Sequence, residues 1–128
     1  MIMADTDVMV DLLRSYPPAA QWLESLDDEV ILPGFVVMEL LDGCRDRSQQ
    51  RRVERIIRPF PVTWPSRETL SSALSLFADH HLRHGLSMLD AVIGQTAADL
   101  DLPLATFNRK HYSVIRGLKT VQPYSRMT

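Results

Sequence analysis

The 128-residue sequence has few of the features that mark secreted, membrane-embedded or disulfide-stabilised proteins. It contains a single cysteine, Cys44, so no disulfide bond can form within one chain, which is typical of a reducing compartment. No apolar run approaches the roughly 18 residues of a membrane span. The start of the chain lacks the basic and apolar regions of a secretory signal. We therefore expect a soluble, cytoplasmic protein with no membrane association.

The sequence also has little net charge. Its formal charge is −2 and its pI is about 6.0. The chain therefore lacks the overall positive charge that is typical of many nucleic-acid-binding proteins. Basic residues are nevertheless concentrated in two stretches, 45–58 and 109–119. A local patch that attracts nucleic acid is compatible with this distribution. For the stretch 45–58, an ordinary solvated helix face explains the same pattern.

Short apolar segments alternate with segments of helical periodicity along the whole chain. Strands are predicted at residues 2–5, 29–32, 60–64, 102–106 and 119–122, with Pro61 confining the third to an edge or a strand start. Helices are predicted at residues 6–15, 19–26, 35–45, 49–58, 66–84 and 87–100. This alternation predicts an α/β fold with a parallel sheet covered by helices on both faces.

The stretch Asp5-Thr6-Asp7 follows the first predicted strand directly. Two carboxylates this close repel each other unless a cation or hydrogen-bond donors offset them. Ligands of parallel sheets bind beyond the carboxyl ends of the strands, which is where Asp5 and Thr106 would lie. Asp5 is equally suited to cap the following helix. The sequence leaves both interpretations open at this point.

Two further acidic residues lie in apolar surroundings. Glu39 interrupts the run Gly34-Phe35-Val36-Val37-Met38-Glu39-Leu40-Leu41, where either an exposed helix edge or a buried partner would explain it. Asp90 follows Ser87 by three residues, which resembles a capping box with aspartate in place of glutamate. An aspartate in the first turn of a helix can also face a cation near the strand ends.

The last polar group follows the fourth predicted strand in the stretch Thr106-Phe107-Asn108-Arg109-Lys110-His111-Tyr112. It offers a hydroxyl, an amide, two basic side chains and an imidazole in quick succession. Ordinary loop chemistry is sufficient to explain each of them. None of the four motifs identifies a function by itself.

In their order along the chain, however, these motifs resemble the PIN-domain family, and within it the VapC-type toxin ribonucleases of bacterial type II toxin–antitoxin pairs. The matching features are Asp-Thr-Asp after the first strand, Glu-Leu in a helix, Leu-Ser-x-x-Asp-Ala at a helix start and Ala-Thr-x-Asn after a strand. The resemblance spans essentially the whole chain. It implies a single PIN-like domain over residues 1–128, with a three-layer α/β/α fold around a central parallel sheet.

The resemblance also implies an activity and partners. The family hydrolyses RNA phosphodiester bonds as endoribonucleases that use Mg²⁺ or Mn²⁺ bound in an acidic pocket. A VapC-type toxin is neutralised by a cognate antitoxin, and the family suggests a homodimer. We expect the C-terminal segment of such an antitoxin to bind the helices near Trp22, Leu26, Val37 and Leu40.

By position, Asp5, Glu39 and Asp90 match the three acidic residues of the family's catalytic site. Asp5 and Asp90 are the expected metal ligands, since Mg²⁺ usually takes one or two carboxylates and keeps several waters. Glu39 is expected to hold or activate water. Thr6 matches a small hydroxyl residue that arranges the site, and Asp7 stands where asparagine is frequent, which indicates a supporting role.

The segment after the fourth strand contains one departure from the family pattern. Asn108 stands at a catalytic-site position where the family often has a fourth acidic residue, and it adds no negative charge. Thr106 matches the polar supporting residue after the strand. Arg109 and Lys110 are expected to bind the RNA backbone. His111 is expected to be a surface residue, with a contact to phosphate as the alternative.

A second interpretation of Asp5-Thr6-Asp7 is the Asp-x-Asp opening of haloacid-dehalogenase-like phosphatases. In those enzymes the first aspartate is the nucleophile and the second is the acid/base. They are usually longer and need a later lysine with an acidic pair. This chain offers only Lys110 and Lys119, with Asp99 and Asp101 in a helical segment.

A third interpretation is a zinc site at His80 and His84, which have the i, i+4 spacing that can bind this ion. The chain has no His-Glu-x-x-His motif, and histidines at a helix C-terminus interact favourably with the helix dipole.

A non-catalytic PIN domain that binds only RNA or a partner is the remaining alternative. Asn108 favours it, and the three retained acidic residues disfavour it.

Overall fold

The computed structural model describes residues 1–126, which form five strands and seven helices. The strands are β1 (Ile2–Ala4), β2 (Val30–Pro33), β3 (Val62–Thr63), β4 (Leu104–Ala105) and β5 (Thr120–Val121). The helices are α1 (Thr6–Leu13), α2 (Pro17–Ser25), α3 (Gly34–Asp42), α4 (Arg47–Ile57), α5 (Arg67–His84), α6 (Met88–Asp99) and α7 (Arg109–Tyr112). Within the described residues, every helix is too short or too polar to cross a membrane.

The five strands form one parallel sheet in the order β3-β2-β1-β4-β5. The central strand β1 pairs with β2 on one side and with β4 on the other, and Met3 lies opposite both Ile31 and Leu104. All described pairings are parallel, so the carboxyl ends of the strands meet at one edge of the sheet. The predicted edge strand after Pro61 is confirmed as β3.

Helices cover both faces of this sheet, as the three-layer prediction requires. Successive side chains of a strand point to opposite faces, and both Met3 and Ala4 are completely buried. The same is true of Leu104 and Ala105 in β4. In one group of helices, α1 packs against α2 and α3, and α3 packs against α4; in the other, α6 packs against α5 and α7.

Side-chain caps fix where four of the helices begin. The caps of α4, α5 and α6 are Asp46, Ser66 and Ser87, each of which accepts a hydrogen bond from a backbone N–H in the first turn. Asp5 caps α1 by accepting from the N–H of Thr6. The helix start therefore fixes the orientation of a carboxylate at the end of the central strand.

The predicted elements are present, but several of their boundaries were wrong. The first strand ends at Ala4 because Asp5 takes the capping position of α1. The first helix ends at Leu13, and Ser15 then adopts a left-handed backbone with φ of 58°. The helix predicted at 35–45 ends at Asp42. The short helix α7 was not predicted, because one turn of four residues gives no periodic signal.

Candidate active site

An acidic cavity of about 480 Å³ opens where the sequence predicted a site, beyond the carboxyl ends of the central strands. Its walls come from the residues that follow β1 and β4, from α3, from the start of α6 and from the end of the described chain. The lining residues are Asp5, Thr6, Asp7, Glu39, Asp90, Phe107, Asn108 and Arg126. Six of the predicted site residues thus come together in one cavity.

Asp5 is the most buried carboxylate of this cavity, with 5% of its surface exposed. Its Oδ1 accepts a hydrogen bond of 2.8 Å from the N–H of Thr6, which is the helix cap. Its Oδ2 accepts a hydrogen bond of 2.8 Å from Thr106 Oγ1. The sequence left open whether Asp5 caps a helix or lines a ligand site. The two roles are compatible, because the capping hydrogen bond orients the Asp5 carboxylate toward the cavity.

Asp7 lies beside Asp5 and shares the donor Thr106. Its Oδ2 accepts a hydrogen bond of 2.9 Å from the N–H of Phe107 and lies 3.3 Å from Thr106 Oγ1. Thr106 is fully buried and has one hydroxyl proton, so it serves one carboxylate at a time, and the shorter distance favours Asp5. The other oxygen of Asp7, Oδ1, is buried and has no hydrogen-bond partner within residues 1–126.

This crowding changes the acidity of both carboxyl groups. Burial, followed by the charge of Asp7, raises the pKa of Asp5 from 3.8 to about 6, although Thr106 and Thr6 donate hydrogen bonds that lower it. Burial also raises the pKa of Asp7, against the hydrogen bond from the Phe107 N–H. The pair therefore carries negative charge that the surrounding protein offsets only in part.

Glu39 reaches the same cavity from α3 and has a specific partner there. Its Oε1 accepts a hydrogen bond of 2.7 Å from Thr6 Oγ1, across 33 residues of sequence. The side chain is half-buried, so the exposed-edge interpretation is wrong and the buried-partner interpretation is confirmed. Thr6 thus links the first-strand motif to the glutamate, which is the arranging role that the sequence suggested.

Asp90 lies in the first turn of α6 and uses only half of the predicted capping box. Its backbone N–H donates to Ser87 Oγ at 3.0 Å. Within the described residues, its carboxylate does not accept the reciprocal hydrogen bond from the Ser87 N–H. Instead Oδ1 accepts from Tyr112 Oη at 3.2 Å and Oδ2 accepts from Asn108 Nδ2 at 3.3 Å. Tyr112 and Asn108 thereby hold this carboxylate toward the cavity.

Tyr112 was quoted in the sequence motif, but no role was predicted for it. It is buried in α7, and burial raises the pKa of its hydroxyl, so it remains a donor at neutral pH. The close approach of α7 to α6 depends on Gly94, one turn after Asp90. A Cβ at this glycine would overlap Ile115 Cδ1 and lie 3.0 Å from Tyr112 Cδ1.

Arg126 lines the cavity, and the sequence did not predict this position for it. Its Nε donates to Asp11 Oδ2 at 3.0 Å, its Nη2 donates to the carbonyl of Asp7 at 3.1 Å, and its guanidinium lies 3.9 Å from the ring centre of Phe107. Nothing in the local sequence Pro123-Tyr124-Ser125-Arg126 predicts a return to the sheet edge. The signal that comes closest is an aromatic residue two positions before a basic one.

The residues predicted to bind RNA lie outside this cavity. Arg109 and Lys110 are both exposed at the start of α7, and Arg109 Nε donates to Thr120 Oγ1 at 3.4 Å. His111 is exposed, as expected, although its Nδ1 lies 4.0 Å from Asp90 Oδ2. Their part in RNA binding stays a prediction.

The chemistry of the donors fits an oxygen-preferring divalent cation. Four carboxylates line the cavity, Asp5 is held in a crowded buried position, and Asp7 has a buried oxygen without a partner. Among the residues that the structure describes, no three His, Cys, Asp or Glu side chains are grouped closely enough to ligate one ion together. This arrangement suits Mg²⁺, which takes one or two protein carboxylates and fills its other positions with water.

This geometry supports neither the phosphatase interpretation nor the zinc-site interpretation. The phosphatase interpretation requires a lysine at the site, and neither Lys110 nor Lys119 lines the cavity. His80 and His84 have ring centres 5.4 Å apart on α5, and within residues 1–126 no third ligand joins them.

Comparison with known proteins gives the same assignment as the motifs. The PIN domain model matches residues 2–117. Ribonuclease VapC10 of Mycobacterium tuberculosis is 32% identical, over 93% of this chain and 91% of that protein. A toxin–antitoxin complex from Klebsiella pneumoniae matches with a TM-score of 0.80 and 25% identity, over 98% of this chain and all of that chain.

A further solved structure supports the fold alone, because its sequence is more distant. VapBC2 from Rickettsia felis, bound to a DNA fragment from its promoter, matches with a TM-score of 0.80 and 20% identity, over 94% of this chain and 98% of that one. The resemblance inferred from the motifs is confirmed by these matches. The chain belongs to the PIN-domain family, in its VapC group.

Proposed function

We propose that this protein is a Mg²⁺- or Mn²⁺-dependent endoribonuclease that hydrolyses RNA phosphodiester bonds and acts in the cytoplasm as the toxin of a toxin–antitoxin pair. The observation that carries this proposal is the convergence of Asp5, Glu39 and Asp90 on one cavity with Asp7 and Asn108. The similarity to ribonuclease VapC10 over 93% of the chain supports the nuclease class.

Asp5 and Asp90 would hold the ion. They reach the cavity from the end of β1 and from the start of α6, and hydrogen bonds from Thr106, Tyr112 and Asn108 restrain their carboxylates. A bound Mg²⁺ supplies positive charge that lowers the pKa of water and offsets the charge developing on phosphate. The ion would also relieve the repulsion that raises the pKa of Asp5.

Glu39 would accept a proton from the water that attacks phosphorus. The hydrogen bond from Thr6 Oγ1 fixes Oε1, and no other hydrogen bond to this carboxylate occurs in the described part of the chain. The carboxylate can therefore orient a water with its second oxygen and take up its proton as the P–O bond forms. The bond to the leaving ribose oxygen then breaks, and that oxygen takes a proton from solvent.

Asn108 would contribute by hydrogen bonding rather than by charge. Its Nδ2 donates to Asp90 at 3.3 Å and so restrains that carboxylate. An ionised acidic residue at this position could not do so, because it has no proton to donate. The substitution of an acid by asparagine therefore preserves the shape of the site with one negative charge fewer. A site with fewer charges suits one firmly held ion better than two.

We further propose that a cognate antitoxin binds this protein. The matched structure from Klebsiella pneumoniae is a toxin–antitoxin complex. Of the residues expected at this surface, Trp22, Leu26 and Val37 are half-buried and have surface left to contact a partner. Leu40 is buried in the core and is not available for such a contact.

A homodimer is the second association that we propose. Leu74 and Met88 are each 69% exposed, and they border an apolar depression of about 280 Å³ between α5 and α6. A contiguous group of exposed apolar side chains is typical of a surface that binds another protein. Light scattering of the purified chain measures the mass directly, and Leu74→Glu should shift a dimer toward monomer.

The activity is tested with purified protein and a labelled single-stranded RNA, in Mg²⁺, in Mn²⁺ and with excess EDTA. We expect internal cleavage with either ion and none with EDTA. Because water is the proposed nucleophile, the products should lack a 2′,3′-cyclic phosphate. Equal cleavage in EDTA, or cyclic phosphate ends, would contradict the proposed chemistry. RNA binding without cleavage in either ion would indicate the non-catalytic alternative instead.

A further inference from the structure

The acidic cavity contains one positively charged side chain among its described lining residues, and this side chain is Arg126. Four carboxylates face the same space, so a phosphodiester that approaches is repelled until cations offset them. A metal ion bound by Asp5 and Asp90 would offset part of this charge. The guanidinium of Arg126 is the cation that the polypeptide itself supplies at the cavity.

Helix α1 holds Arg126 through the residue one turn after Asp7. Asp11 Oδ2 accepts from Arg126 Nε at 3.0 Å, and its side chain is only 15% exposed. The carbonyl of Asp7 accepts from Nη2 at 3.1 Å, and the Phe107 ring lies under the guanidinium at 3.9 Å. Three contacts on three sides thus fix the plane and the position of this group.

The segment before Arg126 is anchored by an aromatic cluster. Tyr124 Oη donates to Asp11 Oδ2 at 2.8 Å, so one carboxylate oxygen holds both the tyrosine and the arginine. The Tyr124 ring lies 5.0 Å from Phe107 in an edge-to-face arrangement, and 6.0 Å and 6.4 Å from Tyr16 and Trp22. The segment 124–126 is therefore docked on α1 and α2, which returns Arg126 to the sheet edge.

The contacts of Arg126 leave donors available for a ligand. Its Nε and Nη2 make the hydrogen bonds described above, while Nη1 has no hydrogen-bond partner within residues 1–126. The side chain is 40% exposed and faces the cavity. A guanidinium that is fixed in position but still has free N–H groups suits a phosphate oxygen, because little conformational freedom is lost on binding.

We propose that Arg126 is a phosphate-binding residue of the active site, which contacts the RNA backbone next to the scissile bond. This inference rests on the proposed ribonuclease function and adds to it a substrate contact supplied by the docked segment 124–126. Arg126 differs in this from Arg109 and Lys110, which are exposed outside the cavity.

The alternative role for Arg126 is to block the cavity as an internal inhibitor. The observed contacts disfavour it, because the guanidinium binds Asp11 and a backbone carbonyl rather than Asp5 or Asp90. The carboxylates expected to hold the metal thus keep their own partners. The two roles predict opposite effects of removing Arg126, since loss of a phosphate contact lowers cleavage and loss of a block raises it.

The test uses Arg126→Ala, Arg126→Lys and the matched control Arg83→Ala, which removes the same charge from an exposed position outside the cavity and outside both basic stretches. Cleavage of a labelled single-stranded RNA in Mg²⁺ gives KM and kcat. Binding of the same RNA is followed by fluorescence anisotropy in a Glu39→Gln background, which keeps both expected metal ligands but slows hydrolysis.

We expect Arg126→Ala to weaken RNA binding about tenfold and to raise KM by a similar factor, as for the loss of a charged hydrogen bond. The slope of log K against the logarithm of the salt concentration should become shallower by about 0.7, which is the value for one phosphate contact to a single strand. Arg126→Lys should retain part of the affinity, and Arg83→Ala should stay within about twofold of the unmodified chain.

Each result of this experiment decides one of the two proposals. Equal RNA affinities of the Arg126→Ala and Arg83→Ala proteins, or faster cleavage by Arg126→Ala, would overturn the phosphate-binding role. Binding that depends on Arg126, together with no cleavage by the unmodified chain, would overturn the proposed hydrolysis and leave the phosphate contact established. A chain that neither binds nor cleaves RNA would overturn both.

Discussion

Thr106 Oγ1 donates a hydrogen bond of 2.8 Å to Asp5 Oδ2, although 101 residues separate the two in sequence. The contact forms because β1 and β4 are neighbouring parallel strands whose ends place residue 5 beside residue 106. The same hydroxyl lies 3.3 Å from Asp7 and accepts from the N–H of Asn108 at 3.0 Å. Thr106 therefore joins the two polar segments that follow the neighbouring strands β1 and β4.

Replacement of Thr106 by valine should lower the stability of the fold. The change keeps the shape of the side chain but leaves a buried carboxylate oxygen of Asp5 without its donor, which costs about 1–3 kcal/mol. Chemical denaturation at pH 7 measures the free energy of unfolding. The matched control is Thr96→Val, since Thr96 is equally buried but donates only to the carbonyl of Val92 in its own helix. Equal losses in both variants would show that Thr106 has no special electrostatic role.

Asp5→Asn should stabilise the metal-free protein at pH 7 while it removes activity. The pKa of Asp5 is raised from 3.8 to about 6, so the folded state binds the proton more tightly than the unfolded state does. Ionisation therefore costs stability as the pH rises from about 4 to above 6, by about 1–3 kcal/mol at pH 7. The amide keeps the contact with Thr6, and Thr106 can turn its proton to Asp7.

The sign of this effect is checked by comparing unfolding of the Asp5→Asn and unmodified proteins at pH 7 and pH 4 in EDTA. The gain should be present at pH 7 and small at pH 4, where Asp5 is protonated in the folded protein and only partly ionised in the unfolded one. A gain of equal size at both values, or a loss at pH 7, would rule out a raised pKa as its cause.

Mg²⁺ should raise the melting temperature of the unmodified protein and not that of Asp90→Asn. An ion that binds only the folded state at 100 times its Kd stabilises it by about 2.7 kcal/mol, which is a shift on the order of 10 °C. Thermal unfolding in Mg²⁺ and in EDTA measures the difference. Asp27→Asn, an exposed acid outside the cavity, should keep the full shift. Equal shifts in both variants would place the ion elsewhere.

Gly94→Ala should destabilise the protein by about 1–3 kcal/mol and lower cleavage, because the new methyl group overlaps Ile115 Cδ1 and presses on the ring of Tyr112. Tyr112 would then lose its hydrogen bond to Asp90. Ile115→Val removes the overlapping atom, so the double variant should recover much of the stability and activity lost in Gly94→Ala. Additive losses, measured by denaturation and by cleavage rate, would show that this contact does not position Tyr112.

The sequence was sufficient to predict the sheet, its parallel strands and the grouping of Asp5, Glu39, Asp90 and Asn108. The strands and helices follow from local patterns, and Asp5 was expected at the strand ends, but its grouping with Glu39, Asp90 and Asn108 was implied by the family resemblance. The order of the motifs along the chain then indicated the family. The exact strand ends were less predictable, because Asp5 serves the helix cap as well as the strand.

Tyr112 and Arg126 could not be predicted in the same way, since tertiary contacts alone determine their positions. Tyr112 reaches Asp90 because Gly94 allows a one-turn helix to approach α6, and a glycine inside a helical pattern was the only local signal. Arg126 reaches the cavity because Tyr124 docks on α1 and α2. Both residues complete a site whose acidic members the sequence had already identified.

The most direct test of the account is the rate of Mg²⁺-dependent RNA cleavage by the unmodified chain and by Asp5→Asn, Asp90→Asn and Asp27→Asn. The account predicts that the first two substitutions reduce the rate by at least about 100-fold, since each removes an expected metal ligand, and that Asp27→Asn leaves it unchanged. Circular dichroism confirms that each variant is folded. Undiminished cleavage by both Asp5→Asn and Asp90→Asn would contradict the assignment of this cavity as the active site.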